Sequence, residues 1–168
     1  MYFNFFKLIY YPNRYPKTPI PCELQDVMDK ANSDVCNEFK VNQITVNRYK
    51  GKGVLSEHPD NEVCIKVGSQ ILGVTLGEGK VLTFRDRLSN KEIDVSPPNR
   101  SLYIMSQRSQ SLWTHRMDRL KQETQGEDYQ YTITMRCVSD QNKNECIVLG
   151  DSYNYTILKP ANYICFIN

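Results

Sequence analysis

The sequence predicts a mainly β fold with one flanking helix, its strands closing into an antiparallel barrel or sandwich of the double-sheet jelly-roll kind. Three observations carry that expectation. Over most of residues 43–149 the apolar residues recur at period two or in short bursts, the bursts are separated by Gly, Pro and Asn turns, and only residues 23–39 carry three- and four-residue apolar steps.

Residues 3–11 are rich in aromatics, as strands are, and the proline-rich stretch 11–21, YPNRYPKTPIP, reads as loop. Helical spacing follows over 23–39, where Leu24, Val27, Met28, Ala31 and Val35 share one face. Eight candidate strands come next, at 43–49, 70–76, 80–85, 92–95, 101–106, 112–117, 129–138 and 146–149. Gly51 to Gly53, Gly77 to Gly79, Ser89-Asn90 and Pro97-Pro98-Asn99 can each reverse the chain between strands. Residues 120–128 are polar and charged and read as an exposed loop. A fold of this kind leaves one open mouth where side chains of several strands converge, a natural place for a metal site.

The 168 residues, 40% of them hydrophobic, suffice for one core. A formal charge of +2 is too small to identify a nucleic-acid binder by itself. No run of about 18 apolar residues offers a membrane span, and the aromatic N-terminus is interrupted by Asn4 and Lys7 and lacks a cleavage site. Cys22, Cys36, Cys64, Cys137, Cys146 and Cys165 form no CxxC pair and read as ordinary thiols of an intracellular, cytoplasmic or nuclear, protein.

The chain has two histidines. His58 lies in Ser56-Glu57-His58-Pro59-Asp60; on extended backbone residues i and i+2 point the same way, so an imidazole nitrogen and a carboxylate oxygen can share one ion. His115 follows 57 residues later in the strand-like Leu112-Trp113-Thr114-His115, where a neighbouring strand can bring it over. Two histidines and one carboxylate on one face leave coordination positions open, the arrangement of non-haem Fe(II) oxygenases.

Asn47-Arg48-Tyr49, His58-Pro59-Asp60-Asn61-Glu62, Ile71 through Gly77, Ser101 through Ser106, Trp113-Thr114-His115 and Thr132 through Arg136 occur in the order of the AlkB-like family of Fe(II)/2-oxoglutarate-dependent dioxygenases, which the sequence resembles over about residues 10–138. The resemblance implies a double-stranded β-helix over residues 1–145, with Fe(II) held by His58, Asp60 and His115. It further implies that Asn47 and Tyr49, same-facing on one strand, hydrogen-bond 2-oxoglutarate, and that Arg136 meets a carboxylate through its guanidinium. In the family the residue six positions before that arginine is a second arginine, which pairs with the distal carboxylate of 2-oxoglutarate; here it is Gln130. A neutral partner in its place costs several kcal/mol, on the order of a thousandfold in affinity. Three outcomes stay open: Arg85, Arg87 or Arg119 supplies the charge, the co-substrate differs, or the domain is a degenerate jelly-roll module that binds nucleic acid or protein without catalysis.

By the same resemblance the substrate is nucleic acid carrying N-methylated bases, single-stranded or with the base flipped out, and the reaction is oxidative demethylation. Glu62 then contacts the substrate's polar edge, and Arg116, near Arg119 and Lys121, grips phosphates at the mouth. Trp113 either stacks a base or packs in the core. Residues 146–168 read as a tail in which Gly150-Asp151-Ser152 resembles the nucleophile block of SGNH hydrolases, with no later histidine to complete a triad. The expectation is a piece of a longer polypeptide in which another domain begins there.

Overall fold

The computed structural model describes residues 2–4, 20–36, 38–50, 54–62, 64–77, 80–119, 129–139 and 164–167. Its strands are β1 (Tyr2–Asn4), β2 (Gln43–Lys50), β3 (Leu55–His58), β4 (Gln70–Leu76), β5 (Lys80–Asp86), β6 (Glu92–Val95), β7 (Ser101–Ser106), β8 (Trp113–Arg119), β9 (Tyr129–Arg136) and β10 (Ile164–Ile167). Two helices, α1 (Cys22–Asp34) and α2 (Gln107–Leu112), complete the described elements.

The strands form two antiparallel sheets, a large one in the order β1-β2-β9-β4-β7-β10 and a small one in the order β3-β8-β5-β6. From β2 to β5 the chain changes sheet at every connection, β6 stays beside β5, and β7, β8 and β9 alternate again. This is the jelly roll that the alternating pattern predicts.

Strand β2, QITVNRYK, shows why the large sheet is covered on both faces. Ile44 and Val46 point outward and join Leu72, Val74, Ile133 and Met135 from β4 and β9 under Met28 and Ala31 of α1, so the helix seals one face. The intervening residues Gln43, Asn47 and Tyr49 point inward and are buried. Between the sheets Tyr49, Ile71, Tyr103 and Met105 meet Leu82, Phe84 and Met117 of the small sheet, and Trp113 packs against this cluster.

Helix α1 stops at Asp34, earlier than the apolar spacing suggests. Asn32 bonds both the N–H and the C=O of Val41, and Lys40 donates to the carbonyls of Asn32 and Cys36, which takes up acceptors left open at the helix end. Gly77 (φ 87°), Asn90 (φ 59°) and Arg100 (φ 63°) provide the left-handed positions at three of the turns.

Among the described residues Cys22, Cys36, Cys64 and Cys137 take part in no disulfide. Most of the aromatic N-terminal segment, most of the proline-rich stretch, the 120–128 loop, the expected strand at 146–149 and the 150–152 turn lie outside the described residues. Within the expected tail, Ile164–Ile167 pairs with β7 and so extends the large sheet.

A candidate metal centre between the sheets

Strand β3 ends on His58, whose Cα partner across the sheet is His115 of β8, after a register shift between Leu55 and His58. The two imidazole rings lie 4.5 Å apart between centroids, tilted by 53°. Two residues past His58 the Asp60 carboxylate turns in beneath them, with Oδ1 3.9 Å from His58 Nε2 and Oδ2 3.8 Å from His115 Nε2. The candidate ligand atoms of all three residues lie within 4.8 Å of one another.

The surroundings prepare this set for a cation. His58 Nδ1 lies 2.7 Å from the carbonyl of Ser56, which can only accept, so Nδ1 donates to it and Nε2 is the nitrogen turned to Asp60. His115 is buried, and burial pushes its pKa down to about 4 against the opposing pull of Asp60, so at neutral pH it offers a lone pair. Burial acts to raise the Asp60 carboxyl, but Arg136, His115 and His58 outweigh it and hold Asp60 below the ordinary carboxylate value. The backbone N–H of Asp60 donates to Gln110 Oε1 of α2 at 2.9 Å, which fixes where the carboxylate begins. Two imidazole nitrogens and an ionised carboxylate oxygen, with Asp60 held by Arg136 and Gln110, are a donor set that fits Fe(II).

Arg136 reaches Asp60 from the end of β9, with Nη2 2.6 Å from Oδ1, and Nη1 stands 3.4 Å from Thr45 Oγ1. The guanidinium expected to meet a carboxylate thus meets that of the metal-binding aspartate, leaving Arg136 Nε buried with no hydrogen-bond partner among the described residues. Glu62 also lies within the field of Asp60, Arg136 and His58; burial, the largest influence, raises its pKa, and its Oε2 is buried without a partner.

The inner face of the large sheet is polar. Asn47 and Tyr49 of β2 lie opposite Thr132 and Gln130 of β9, and Thr75 of β4 lies beside Thr132. All five are buried, and Thr75 Oγ1 and Gln130 Oε1 have no partner among the described residues. Buried polar atoms left open along one wall mark a space built for a polar guest. Thr75 Oγ1 can donate to a carboxylate such as 2-oxoglutarate carries, whereas Gln130 Oε1 can only accept.

Arg116 is placed apart from this interior. It alternates with His115 along β8 and therefore points to the opposite face, where it pairs with Glu92 at 2.8 and 2.9 Å and with Asp118 at 2.6 Å. Arg85 shares that outer network through Glu92 and Glu57, so it does not supply the charge missing at Gln130. Arg87 is exposed after β5, and the side chain of Arg119 lies outside the described residues.

The sequence reading missed three participants. Gln110 lies on a six-residue polar helix that no apolar period announces. Tyr103 is a buried phenol whose ring crosses the sheet over Gly73, where a Cβ would collide with it. Lys80 is a buried lysine at the start of β5. For Tyr103 and Lys80 the available signal was parity: both alternate with residues that must face the second sheet.

The 2OG-Fe(II) oxygenase superfamily profile matches residues 10–142. No curated protein sequence matches the chain significantly. Among solved structures, OsALKBH1 is similar in fold, with a TM-score of 0.52 and 17% identity over 74% of this chain and 67% of that one. An oxidoreductase of the 2OG-Fe(II) oxygenase family from Burkholderia pseudomallei has a TM-score of 0.51 and 9% identity, covering 73% of this chain and 59% of that one.

Proposed function

The chain belongs to the 2OG-Fe(II) oxygenase superfamily, whose cofactors are Fe(II) and 2-oxoglutarate, and we propose that it is a dioxygenase that oxidatively demethylates N-methylated bases in nucleic acid. The carrying observation is the cluster of half-buried His58 with buried Asp60 and His115, with Arg136 holding the carboxylate from behind. The order of motifs shared with AlkB-like dioxygenases, and the fold shared with OsALKBH1, support the choice of nucleic acid.

In this reading His58, Asp60 and His115 would hold the iron. Bound there with 2-oxoglutarate, it would supply the O2-derived oxidising chemistry that replaces a substrate C–H hydrogen by hydroxyl. The protein's own residues position and enclose. Ser56 and Gln110 fix His58 and Asp60, Arg136 keeps Asp60 ionised, and Asn47 and Tyr49 hydrogen-bond the co-substrate. Phe84, Met105 and Met117 exclude water from the interior. Glu62, whose Oε2 is buried with no hydrogen-bond partner among the described residues, contacts the polar edge of a flipped or single-stranded base. Hydroxylation of an N-methyl group leaves a hemiaminal that breaks down to formaldehyde and the unmodified base.

The test is formaldehyde release from an N-methylated oligonucleotide by Fe(II)-loaded protein with 2-oxoglutarate. Release that disappears in His58→Ala supports the reading; one equivalent of bound iron without release on methylated DNA or RNA contradicts it. The second reading, a binding module without catalysis, is favoured by the neutral Gln130. If Gln130→Arg creates 2-oxoglutarate binding that the native chain lacks, that reading prevails.

A further inference from the structure

We propose that Glu57 is a positioning residue of the metal centre: from the outer face of the small sheet it locks a one-residue bulge in β3, and that bulge turns His58 inward to meet Asp60 and His115. The inference rests on the reading of these three residues as metal ligands.

The bulge follows from the register. Leu55 pairs with Met117 and His58 with His115, so three residue steps on β3 match two on β8. Side chains of an uninterrupted strand alternate between faces, so residues three apart point to opposite sides. Leu55 and His58 nevertheless share the inner side: Leu55 packs against the cluster between the sheets, and the His58 ring lies 4.5 Å from that of His115. Ser56 and Glu57, between them, are both exposed. The extra residue absorbs the mismatch, as bulges beside active sites do when they re-aim a side chain. In a regular β3 with Leu55 in place, His58 would face solvent.

A bulge interrupts the ladder, and β3 has little ladder to lose. It is four residues long and stands at the end of its sheet, with β8 as its sole neighbour among the described strands. Glu57 adds the missing hold. Thr114 Oγ1 donates to Glu57 Oε1 at 2.6 Å, and Oε2 lies 3.6 Å from both Arg85 Nε and Arg116 Nη1. Thr114 and Arg116 flank His115 on β8, and Arg85 adjoins Phe84, the Cα partner of His115. The carboxylate thus grips from behind the two strands whose inner faces carry His115 and Phe84. Arg85 and Arg116 are in turn fixed by Glu92 of β6, at 2.6 and 2.8 Å, so the contact reaches across all four strands. A single surface ion pair contributes little, but here a charged hydrogen bond and two cations converge on one carboxylate whose side chain is 31% exposed. On the inner side the same bulge brings the Ser56 carbonyl to His58 Nδ1 at 2.7 Å, so the place and the orientation of the ring both come from this irregularity.

The test is calorimetric titration with Co(II), which binds such donors more tightly than Mn(II) does and reports its ligands in its visible spectrum. Glu57→Ala should weaken binding about tenfold, the lower end of what the partners of a metal ligand contribute. Glu57→Gln still accepts from Thr114 and loses only the exposed charge, so it should stay within about threefold of native. Glu92→Gln, which alters the outer network without touching β3, should bind as the native protein does. A positioning role acts through His58 alone, so in the His58→Ala background Glu57→Ala should add no further loss. The visible spectrum of Co(II)-loaded Glu57→Ala should move towards that of His58→Ala. Native affinity and spectrum in folded Glu57→Ala overturn the proposal, as does an equal loss when His58 is already replaced. Native protein that binds no metal refutes the metal reading itself. If Glu57→Ala fails to fold, Thr114→Val asks the same question from β8: a loss of about tenfold supports the assignment, and native affinity overturns it.

Discussion

Replacing Arg136 by methionine removes the positive partner of Asp60 and leaves its apolar volume nearly intact. The pair is closed on both sides: the side chains are 8% and 3% exposed, and Nη2 lies 2.6 Å from Oδ1. Removing one member of a buried pair costs about 3–5 kcal/mol, because the remaining charge is unpaired, against a total stability of roughly 5–15 kcal/mol. Asp60 has a folded pKa below its ordinary 3.8, so its electrostatic contribution is complete above that value and is lost as pH falls further. Without Arg136 the burial influence takes over and the carboxyl rises, so the variant should lose metal at a higher pH than the native protein does. Urea denaturation of the metal-free variant should show the 3–5 kcal/mol loss, and Asp60→Leu in the same protein should recover part of it by removing the orphaned charge. A loss below about 1 kcal/mol, or a double variant less stable than Arg136→Met, would refute the reasoning.

Gly73→Ala puts a methyl into the ring of Tyr103 and should cost about 1–3 kcal/mol by thermal melting, with Tyr103→Leu relieving it. Glu92, held down to about 2 by Arg116 and Arg85, contributes stability that is complete above its ordinary 4.5 and fades as pH falls toward 2. Glu92→Gln should flatten the melting temperature over that interval and leave Mn(II) affinity at neutral pH unchanged; an unaltered pH profile would show that the outer network is not coupled to folding. Gln110→Ala frees the backbone of Asp60 and should weaken Mn(II) binding by about tenfold, the usual weight of a group that orients a ligand. Native affinity in that variant would remove Gln110 from the account.

The strands were readable because period two survives wherever one face packs. The expected 70–76, 92–95 and 101–106 coincide with β4, β6 and β7. β3 escaped the strand pattern because it is four residues long and runs straight into Pro59. Helix α2 escaped because QRSQSL has no apolar face to detect. The two histidines and Asp60 could be read from the rarity of histidine and from i, i+2 geometry. The partner of Arg136 could not, since Asp60 lies 76 residues away and the two segments meet through the pairing of residues 64–66 with 137–139. Arg116, beside His115 in sequence, is on the opposite face in space, paired with Glu92 and Asp118. The burial of Lys80 was passed over because a strand lysine ordinarily marks a solvent face.

The central claim is that His58, Asp60 and His115 hold one iron. Anaerobic Fe(II) titration of the native protein and of His58→Ala, Asp60→Ala and His115→Ala, each checked for a native circular dichroism spectrum, tests it most directly. The account predicts one equivalent bound by the native protein and at least a hundredfold loss of affinity in each folded variant; native affinity in any of the three would contradict it.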